Sequence, residues 1–221
     1  MELVKAVKER RSVRRFIPRE IPQEIIRDIM ETARWSPSWA NTQAWEFYVI
    51  TGNALERFRK ANHEKCLKGE TPSPDIAMPD KWPEKWNQRY MNFAATLFDS
   101  LSIARNDMEA RNKVYAEMFN IFNAPCLIVA CIDKGLSPAY AMLDAGLIVQ
   151  TIGLLAHDRG LGTCIEACAV MYPRLLKDVA GIPDEKNVVI GMALGYPDPD
   201  APINTFTRER VNLDEMVTWV R

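Results

Sequence analysis

The fold is decided by the stretch Ser137-Pro-Ala-Tyr-Ala-Met-Leu-Asp-Ala-Gly-Leu-Ile-Val-Gln-Thr-Ile-Gly-Leu-Leu-Ala-His-Asp-Arg159. Ser137 and Pro138 are typical of a helix start. A serine side chain can accept hydrogen bonds from the free backbone N–H groups of the first turn, and the missing N–H of proline costs nothing there. Gly160 supplies the left-handed residue that commonly ends a helix. Between these signals nearly every side chain is apolar. The stretch therefore predicts a long helix that is buried on all sides.

Two environments can bury such a helix: a membrane or the inside of an assembly. Asp144 and Gln150 interrupt the apolar run, and a carboxylate at the centre of a bilayer is costly, so we expect no membrane span. A single domain rarely encloses a helix this long. We therefore expect one face to pack on the chain's own sheet and another on a second copy, making a homodimer. Gly146 and Gly153 lie two turns apart and would admit a close neighbour there.

Composition limits the class of protein. The chain has 221 residues, 48% hydrophobic content and a formal net charge of −1. These values predict one folded domain over residues 1–221, and they exclude a disordered chain or a protein that coats nucleic acid. The cysteines form no Cys-x-x-Cys pair, so we expect no metal site and a reducing, cytoplasmic location. They are Cys66, Cys126, Cys131, Cys164 and Cys168.

Working outward from the central helix, periodicity predicts more helices than strands. Strands are predicted at Trp45–Ile50, Cys126–Ile132, Thr163–Glu166 and Asn187–Tyr196, and further helices at 21–33, 54–66 and 172–180. The elements do not alternate strictly, so we expect an α+β fold with a small central mixed or antiparallel sheet covered by helices. After residues 197–202 the tail is predicted to be an extended arm laid on another surface, the partner subunit.

The middle of the chain contains one irregular tract, Lys68–Pro83, which carries four prolines. A long loop of this kind is usually a lid or a disordered insert. Aromatic and apolar residues then recur at intervals of three and four, which predicts a helix with an aromatic stripe and favours core packing of that stripe over a ligand platform. They are Trp82, Trp86, Tyr90, Phe93 and Leu97.

Reactive side chains are scarce. The chain has two histidines, no nucleophile elbow and no glycine-rich phosphate loop, which favours a bound cofactor as the source of the chemistry. Arg10, Arg11, Ser12 and Arg14 bring several strong donors within five residues, a pattern that suits a phosphate monoester. A basic run is more often a solvated face, and that reading stays open. The pair Arg208 and Arg210 can close over the same anion if the chain ends meet.

Four segments, in order, resemble the FMN-dependent nitroreductase family. Arg10-Arg-Ser-Val-Arg-Arg-Phe16 matches its N-terminal Arg-Arg-Ser-x-Arg-x-Phe signature, and Ser36-Pro-Ser-Trp-Ala-Asn-Thr-Gln-Ala-Trp-Glu-Phe47 is similar to its Pro-Ser-x-x-Asn-x-Gln-Pro-Trp-x-Phe segment. Residues 145–166 look like its central dimer helix and following strand. Leu194-Gly-Tyr-Pro197, followed by Arg208-x-Arg210, looks like its C-terminal end. Three departures stand out: Ala44 replaces a usual proline, Trp39 a commonly small residue, and Ala167 a glycine of some members.

The resemblance implies a homodimer with FMN in two clefts at the subunit interface. It places Arg10, Arg11, Ser12, Arg14, Arg208 and Arg210 on the FMN phosphate and ribityl chain. It sets Pro37, Ser38, Trp39 and Asn41 beside the isoalloxazine ring, and backbone N–H groups of Glu166 and Ala167 near flavin N5. No catalytic side chain is expected.

The implied reaction is a ping-pong two-electron reduction of nitroaromatic or quinone-like acceptors by NAD(P)H. The middle of the chain resembles the longer, nitrobenzene-reducing members. Other flavin reactions of the family remain open: dehalogenation, dehydrogenation and flavin breakdown. A non-enzymatic module that binds anions or nucleic acid through the arginine segment is the alternative from another class. A flavin spectrum in the purified protein distinguishes the enzyme from that module.

Overall fold

The computed structural model describes residues 1–221, and the chain consists of eight α-helices and four strands. The helices are α1 (Leu3–Glu9), α2 (Gln23–Ala33), α3 (Gly52–Leu67), α4 (Glu84–Ser100), α5 (Met108–Phe119), α6 (Pro138–Asp158), α7 (Pro173–Ala180) and α8 (Pro202–Thr205). The strands are β1 (Glu46–Thr51), β2 (Cys126–Asp133), β3 (Gly162–Glu166) and β4 (Lys186–Gly195).

The strands form one antiparallel sheet in the order β1-β2-β4-β3. Seven of the eight residues of the central strand β2 are buried, because helices cover both faces of the sheet, as its continuous apolar run predicts. On one face, Phe58 of α3 and Leu176 of α7 pack over Leu127. On the other, Ile29 of α2 and Ile152 of α6 pack over Ile128. The predicted α+β fold with a small sheet is confirmed.

Helix α6 follows its predicted bounds, and one of its faces packs inside the domain as predicted. One face packs against α1, α2, β2 and β3. The opposite face is open over its first half, where Tyr140, Leu143 and Leu147 are 55%, 59% and 40% exposed. Gly160 adopts the left-handed φ of 73°, whereas the Ser137 side chain makes no capping hydrogen bond. By length and composition α6 is the one helix that could cross a membrane, and one of its faces is packed inside the domain.

The two glycines of α6 do not form one contact surface. A Cβ at Gly153 would lie 3.4 Å from Cδ of Arg10 in the same chain, so this glycine admits the N-terminal segment. Gly146 faces open space. The prediction that both glycines admit one neighbour was wrong: they lie on nearly the same side of the helix, but the N-terminal segment of the same chain covers that side only at Gly153.

Helix α4 projects from the domain. Only Leu97 and Phe98, near its C-terminal end, are buried, and among regular elements it packs against α8. The aromatic stripe predicted to be core is exposed at Trp82, Trp86, Tyr90 and Phe93, by 44–52%. Periodicity alone did not reveal that α4 extends beyond the sheet it would have to cover.

The proline-rich tract 68–83 is anchored to the domain. The Asp75 carboxylate accepts from the backbone N–H of Val188 at 2.9 Å and lies 3.2 Å from the Lys177 ammonium. Ser73 donates its N–H to the Met171 carbonyl oxygen at 3.0 Å. The tract is therefore irregular in backbone but docked on the domain at Ser73 and Asp75.

The cysteines are free thiols. Cys126, Cys131 and Cys164 are buried as small apolar residues, and burial raises the pKa of each thiol to about 12. Cys66 and Cys168 are only partly buried.

Candidate functional site

The arginine-rich segment is hydrogen-bonded to the edge of the sheet. Strand β3 has β4 on one side, and on its free side Ser12 bridges to Thr163 in parallel. The N–H of Val13 donates to the Thr163 carbonyl oxygen at 2.8 Å. A second bridge joins Phe16 to Pro197. The backbone from Ser12 to Phe16 is therefore fixed, and the flanking arginines project from a rigid edge.

Two glycines opposite each other in the sheet make room for this segment. Gly162 of β3 pairs with Gly195 of β4. A Cβ at Gly162 would lie 2.5 Å from Cγ2 of Val13, and one at Gly195 would lie 2.7 Å from the Phe16 ring. Both distances are far below van der Waals contact. The paired glycines therefore form a slot that Val13 and Phe16 fill.

Asn204 ties the C-terminal arm to the same segment. Its amide oxygen accepts from the backbone N–H groups of Arg14 at 2.8 Å and Arg15 at 3.2 Å. Its amide nitrogen donates to the carbonyl oxygens of Arg15 at 2.8 Å and Asp198 at 2.9 Å. The Asn204 side chain is buried. Its four hydrogen bonds satisfy backbone N–H and carbonyl groups that would otherwise bond to water. Sequence reasoning missed this residue, because nothing around it in the chain distinguishes it from a loop asparagine.

Two of the arginines join the chain ends. Arg11 donates to the carbonyl oxygens of Asn204 and Phe206. Arg208 donates to the carbonyl oxygens of Lys8, Glu9 and Arg10, which end helix α1. A guanidinium at this position also meets the negative end of the helix dipole. The two chain ends therefore meet, which is the condition under which Arg208 and Arg210 can close over the same anion.

The arginines surround one cavity of about 720 Å³. All six residues predicted to hold a phosphate line it: Arg10, Arg11, Ser12, Arg14, Arg208 and Arg210. Helix α4 supplies the facing wall through Phe93, whose ring lies 5.4 Å from the Arg14 guanidinium carbon and 6.1 Å from the Phe206 ring.

This cavity has an excess of positive charge. None of the five arginines from the two chain ends has a carboxylate oxygen within 4.0 Å, whereas Arg89 of α4, which also lines the cavity, pairs with Glu215 at 3.0 Å. Burial and then the neighbouring Arg210 lower the pKa of Arg10. Burial lowers the pKa of Arg208, and Arg11, Arg210 and Arg10 lower it further. Repulsion of this kind favours a bound anion, and the buried Nε of Arg10 has no partner in the protein.

Glu166 and Ala167 lie at the far end of the same edge strand. Glu166 is three residues beyond Thr163, which is about 10 Å along a strand. Its carboxyl group is buried, and neither oxygen has a hydrogen-bond partner. Burial raises the pKa of Glu166 well above its ordinary value, and Arg14 opposes that rise. The carboxyl is therefore neutral over a pH range in which an exposed glutamate is charged.

The second predicted set, Pro37, Ser38, Trp39 and Asn41, lies elsewhere. The tip of its loop is attached to the first half of α6, where the Trp39 N–H donates to the Asp144 carboxylate, and none of the four residues lines the arginine cavity. Arg10 contacts the same helix at Gly153. Nine residues separate these two positions, about 13 Å along the axis. One chain alone therefore does not bring the loop and the arginine cavity together.

A comparison with known families identifies the family of this chain. The Nitroreductase family model matches residues 7–196. The chain belongs to the nitroreductase family.

Individual relatives agree with this family assignment. The nitrobenzene nitroreductase of Ectopseudomonas oleovorans is 33% identical over 190 residues, which cover 85% of this chain and 83% of that protein. The 4-nitrobenzoate reductase of Pseudomonas putida is 33% identical over 207 residues, 92% of this chain and 89% of its own. Among solved structures, the FMN-dependent nitroreductase NfnB of Mycobacterium smegmatis, in complex with NADPH, matches with a TM-score of 0.93 and 26% identity. That match covers 99% of this chain and 97% of the other.

Proposed function

We propose that the chain is an FMN-dependent oxidoreductase that uses NAD(P)H to reduce nitroaromatic or quinone-like acceptors in the cytoplasm. The observation that carries the proposal is the cavity surrounded by unpaired arginines, described above. Nitroreductase relatives named for nitrobenzene and 4-nitrobenzoate support the nitroaromatic class, and a fold neighbour named as dependent on FMN and NADPH supports the cofactors.

The residues of the cavity fit the phosphate end of FMN. Arg10, Arg14 and Arg210 have donors that the protein leaves without a carboxylate, and the Ser12 hydroxyl lies among them. A phosphate monoester offers up to two negative charges and three acceptor oxygens, which suit such a set of donors. From there the β3 edge leads to Glu166 and Ala167, whose backbone N–H groups would border the ring end of the cofactor.

We infer a homodimer in which each cleft is built from two chains. The exposed stripe Tyr140, Leu143 and Leu147 is an apolar face of α6 that lies beside the loop carrying Ser38 and Asn41. A second copy packed on this stripe covers it and carries its own loop toward the arginine cavity of the first. The separation of the two predicted sets along α6 supports this composite site.

The protein's part in the reaction is binding and orientation. When bound, FMN would supply the redox chemistry as the two-electron carrier between NAD(P)H and the acceptor. In the proposed ping-pong order, nicotinamide and acceptor occupy the same cleft in turn. The arginines hold the cofactor by its phosphate, so the ring position is fixed while substrates exchange. Protons come from solvent, and no side chain of the chain is needed as an acid or base.

Steady-state turnover tests the function directly. The purified protein, loaded with FMN, is expected to oxidise NADPH or NADH when nitrobenzene or a quinone is present, and to show parallel lines in initial-rate plots. Sedimentation of the same sample is expected to give a dimer. A flavin-loaded protein that shows no nicotinamide-dependent reduction of either acceptor class would overturn the proposed reaction, and a monomer would overturn the composite cleft.

A further inference from the structure

The loop from Ser36 to Gln43 has an unusual backbone. Ala40, Asn41 and Gln43 all adopt left-handed conformations, with φ of 48°, 57° and 51°. None is glycine, and only asparagine is among the side chains that tolerate this region well. A segment with several such residues persists only where its surroundings enforce the conformation. The question is which contacts enforce it.

Contacts within the loop set its shape without fixing its position. Ser38 Oγ accepts from the Gln43 N–H at 2.8 Å, and the Gln43 side-chain amide donates to the Asn41 carbonyl oxygen at 3.1 Å. These bonds would move with the loop as a unit. At its start, Ser36 donates its hydroxyl to Ala33 and lies 2.9 Å from the Thr151 hydroxyl, which anchors only that end.

The tip of the loop is held by a pair of residues on α6, which we name the Asp144–Tyr140 socket. Both carboxylate oxygens of Asp144 accept the Trp39 N–H, at 3.1 and 3.2 Å. Tyr140, one turn earlier, stacks on the Trp39 indole with ring centroids 5.3 Å apart and planes at 26°. Asp144 is only 3% exposed, has no cation within 4.0 Å and makes no other hydrogen bond. A carboxylate buried in an otherwise apolar helix is costly, and this one serves only Trp39.

We propose that Asp144 is a positioning residue for the reaction, acting with Tyr140 through Trp39. The socket holds the left-handed loop so that Ser38 and Asn41 are presented at a fixed position on the dimer face. This inference rests on the proposed function, in which that loop borders the flavin ring. In this inference Trp39 is the residue that the socket holds, because Tyr140 already stacks on one face of its indole.

Variants at the two socket residues separate positioning from simple stability. Asp144→Ala removes the acceptor, whereas Asp144→Asn keeps an amide oxygen that can accept the same N–H. Tyr140→Ala removes the stack, whereas Tyr140→Phe keeps it. Asp99→Ala serves as the matched control, because Asp99 is an exposed helical aspartate with no ion pair.

Hydrogen exchange on the flavin-free protein is the first measurement, and it does not depend on activity. Asp144→Ala is expected to speed exchange of the Trp39 amide, which donates to Asp144, by about tenfold or more, while buried amides of α6 at Ile148 and Ile152 keep their protection. Asp144→Asn and Tyr140→Phe are expected to stay close to wild type. Unchanged exchange of the Trp39 amide in Asp144→Ala would refute the proposed role of the socket, whether or not the protein reduces nitroaromatic compounds.

Kinetics and spectra of the FMN-loaded protein form the second measurement. Asp144→Ala and Tyr140→Ala are expected to lower kcat/KM for the acceptor by about tenfold, with FMN affinity changed less than about threefold, because the phosphate cavity is elsewhere. The visible flavin spectrum is also expected to change. Asp144→Asn is expected to restore both kcat/KM and the spectrum. A fall in melting temperature, FMN affinity and turnover in parallel, without rescue by Asp144→Asn, would show a merely structural role. Wild-type protein that neither binds FMN nor turns over would instead refute the proposed function.

Discussion

At the scale of single residues, the arginines of the cavity divide into two kinds. Arg11 and Arg208 donate to backbone carbonyl oxygens and join the chain ends. The Arg10 side chain donates no hydrogen bond within the protein, and its guanidinium is repelled by that of Arg210. The sequence placed all of them in one predicted site, but the division depends on where α1 ends relative to the C-terminal arm, and no local pattern encodes that.

This division predicts different outcomes for two alanine variants. Arg10→Ala is expected to weaken FMN binding by about 1.5–3 kcal/mol while leaving the stability of the flavin-free protein unchanged or higher, because it removes a repelled charge. Arg208→Ala is expected to weaken FMN binding and also to lower stability, because it uncaps α1. Titration with FMN and urea unfolding measure the two quantities. Arg15→Ala, in the same segment but with an exposed side chain, is the control, and equal behaviour of all three variants would refute the division.

Asn204 is predicted to be the most sensitive single side chain outside the apolar core. Asn204→Ala leaves two buried N–H groups and two carbonyl oxygens without their partner, so the unfolding free energy is expected to fall by about 2–5 kcal/mol. FMN affinity falls as well, because Arg14 is no longer held. Denaturant unfolding is the measurement, with the exposed Asn53→Ala as control. A loss no greater than that of the control would contradict the role assigned to Asn204.

The buried Glu166 predicts a particular pH dependence of stability. Because burial raises the pKa of this carboxyl in the folded state, the native protein keeps a proton that the unfolded chain releases above about pH 4.5. The unfolding free energy therefore falls as pH rises above that value, by up to about 1.4 kcal/mol per pH unit, until the folded-state pKa is passed.

Glu166→Gln removes this contribution, so the difference in stability between variant and wild type should grow in favour of the variant as pH rises. Thermal or urea unfolding of the flavin-free proteins between about pH 5 and pH 8 measures it. Two stability curves that stay parallel over this range would show that Glu166 ionises normally in the folded protein.

At the scale of elements, the slot formed by Gly162 and Gly195 links the sheet to the site. Gly162→Ala places a methyl group against Val13, a β-branched side chain with little freedom to turn away. The expected loss is about 1–3 kcal/mol of stability, together with weaker FMN binding, because Arg10 to Arg14 shift with Val13. The double variant Gly162→Ala/Val13→Ala should recover part of both. No recovery in unfolding and titration experiments would mean that Val13 is not the contact that matters.

The elements also show what the sequence could and could not predict. Strand β2 and helix α6 were predicted closely, because a continuous apolar run and clear start and stop residues act locally. Helix α4 was placed correctly as a helix, but its aromatic stripe was assigned to the core although it is exposed. Apolar residues at intervals of three and four indicate that a helix has an apolar face. What covers that face depends on tertiary contacts.

At the scale of the whole molecule, the site joins parts of the chain that are far apart in sequence. The N-terminal segment, helix α4 and the C-terminal arm meet at one cavity, and the predicted residues of the first and last of these line it together. The loop with Ser38 and Asn41 lies about 13 Å further along α6. Sequence reasoning named both sets through the family resemblance, but only the fold shows that a single chain separates them.

The central claim, that the arginine cavity binds the phosphate of FMN, is tested most directly by titrating the flavin-free protein with FMN and with riboflavin, which has the same ring and no phosphate. The account predicts that FMN binds more tightly than riboflavin by at least about 3 kcal/mol, and that Arg10→Ala narrows this difference while leaving riboflavin binding nearly unchanged. Equal affinities for FMN and riboflavin in the wild-type protein would contradict it.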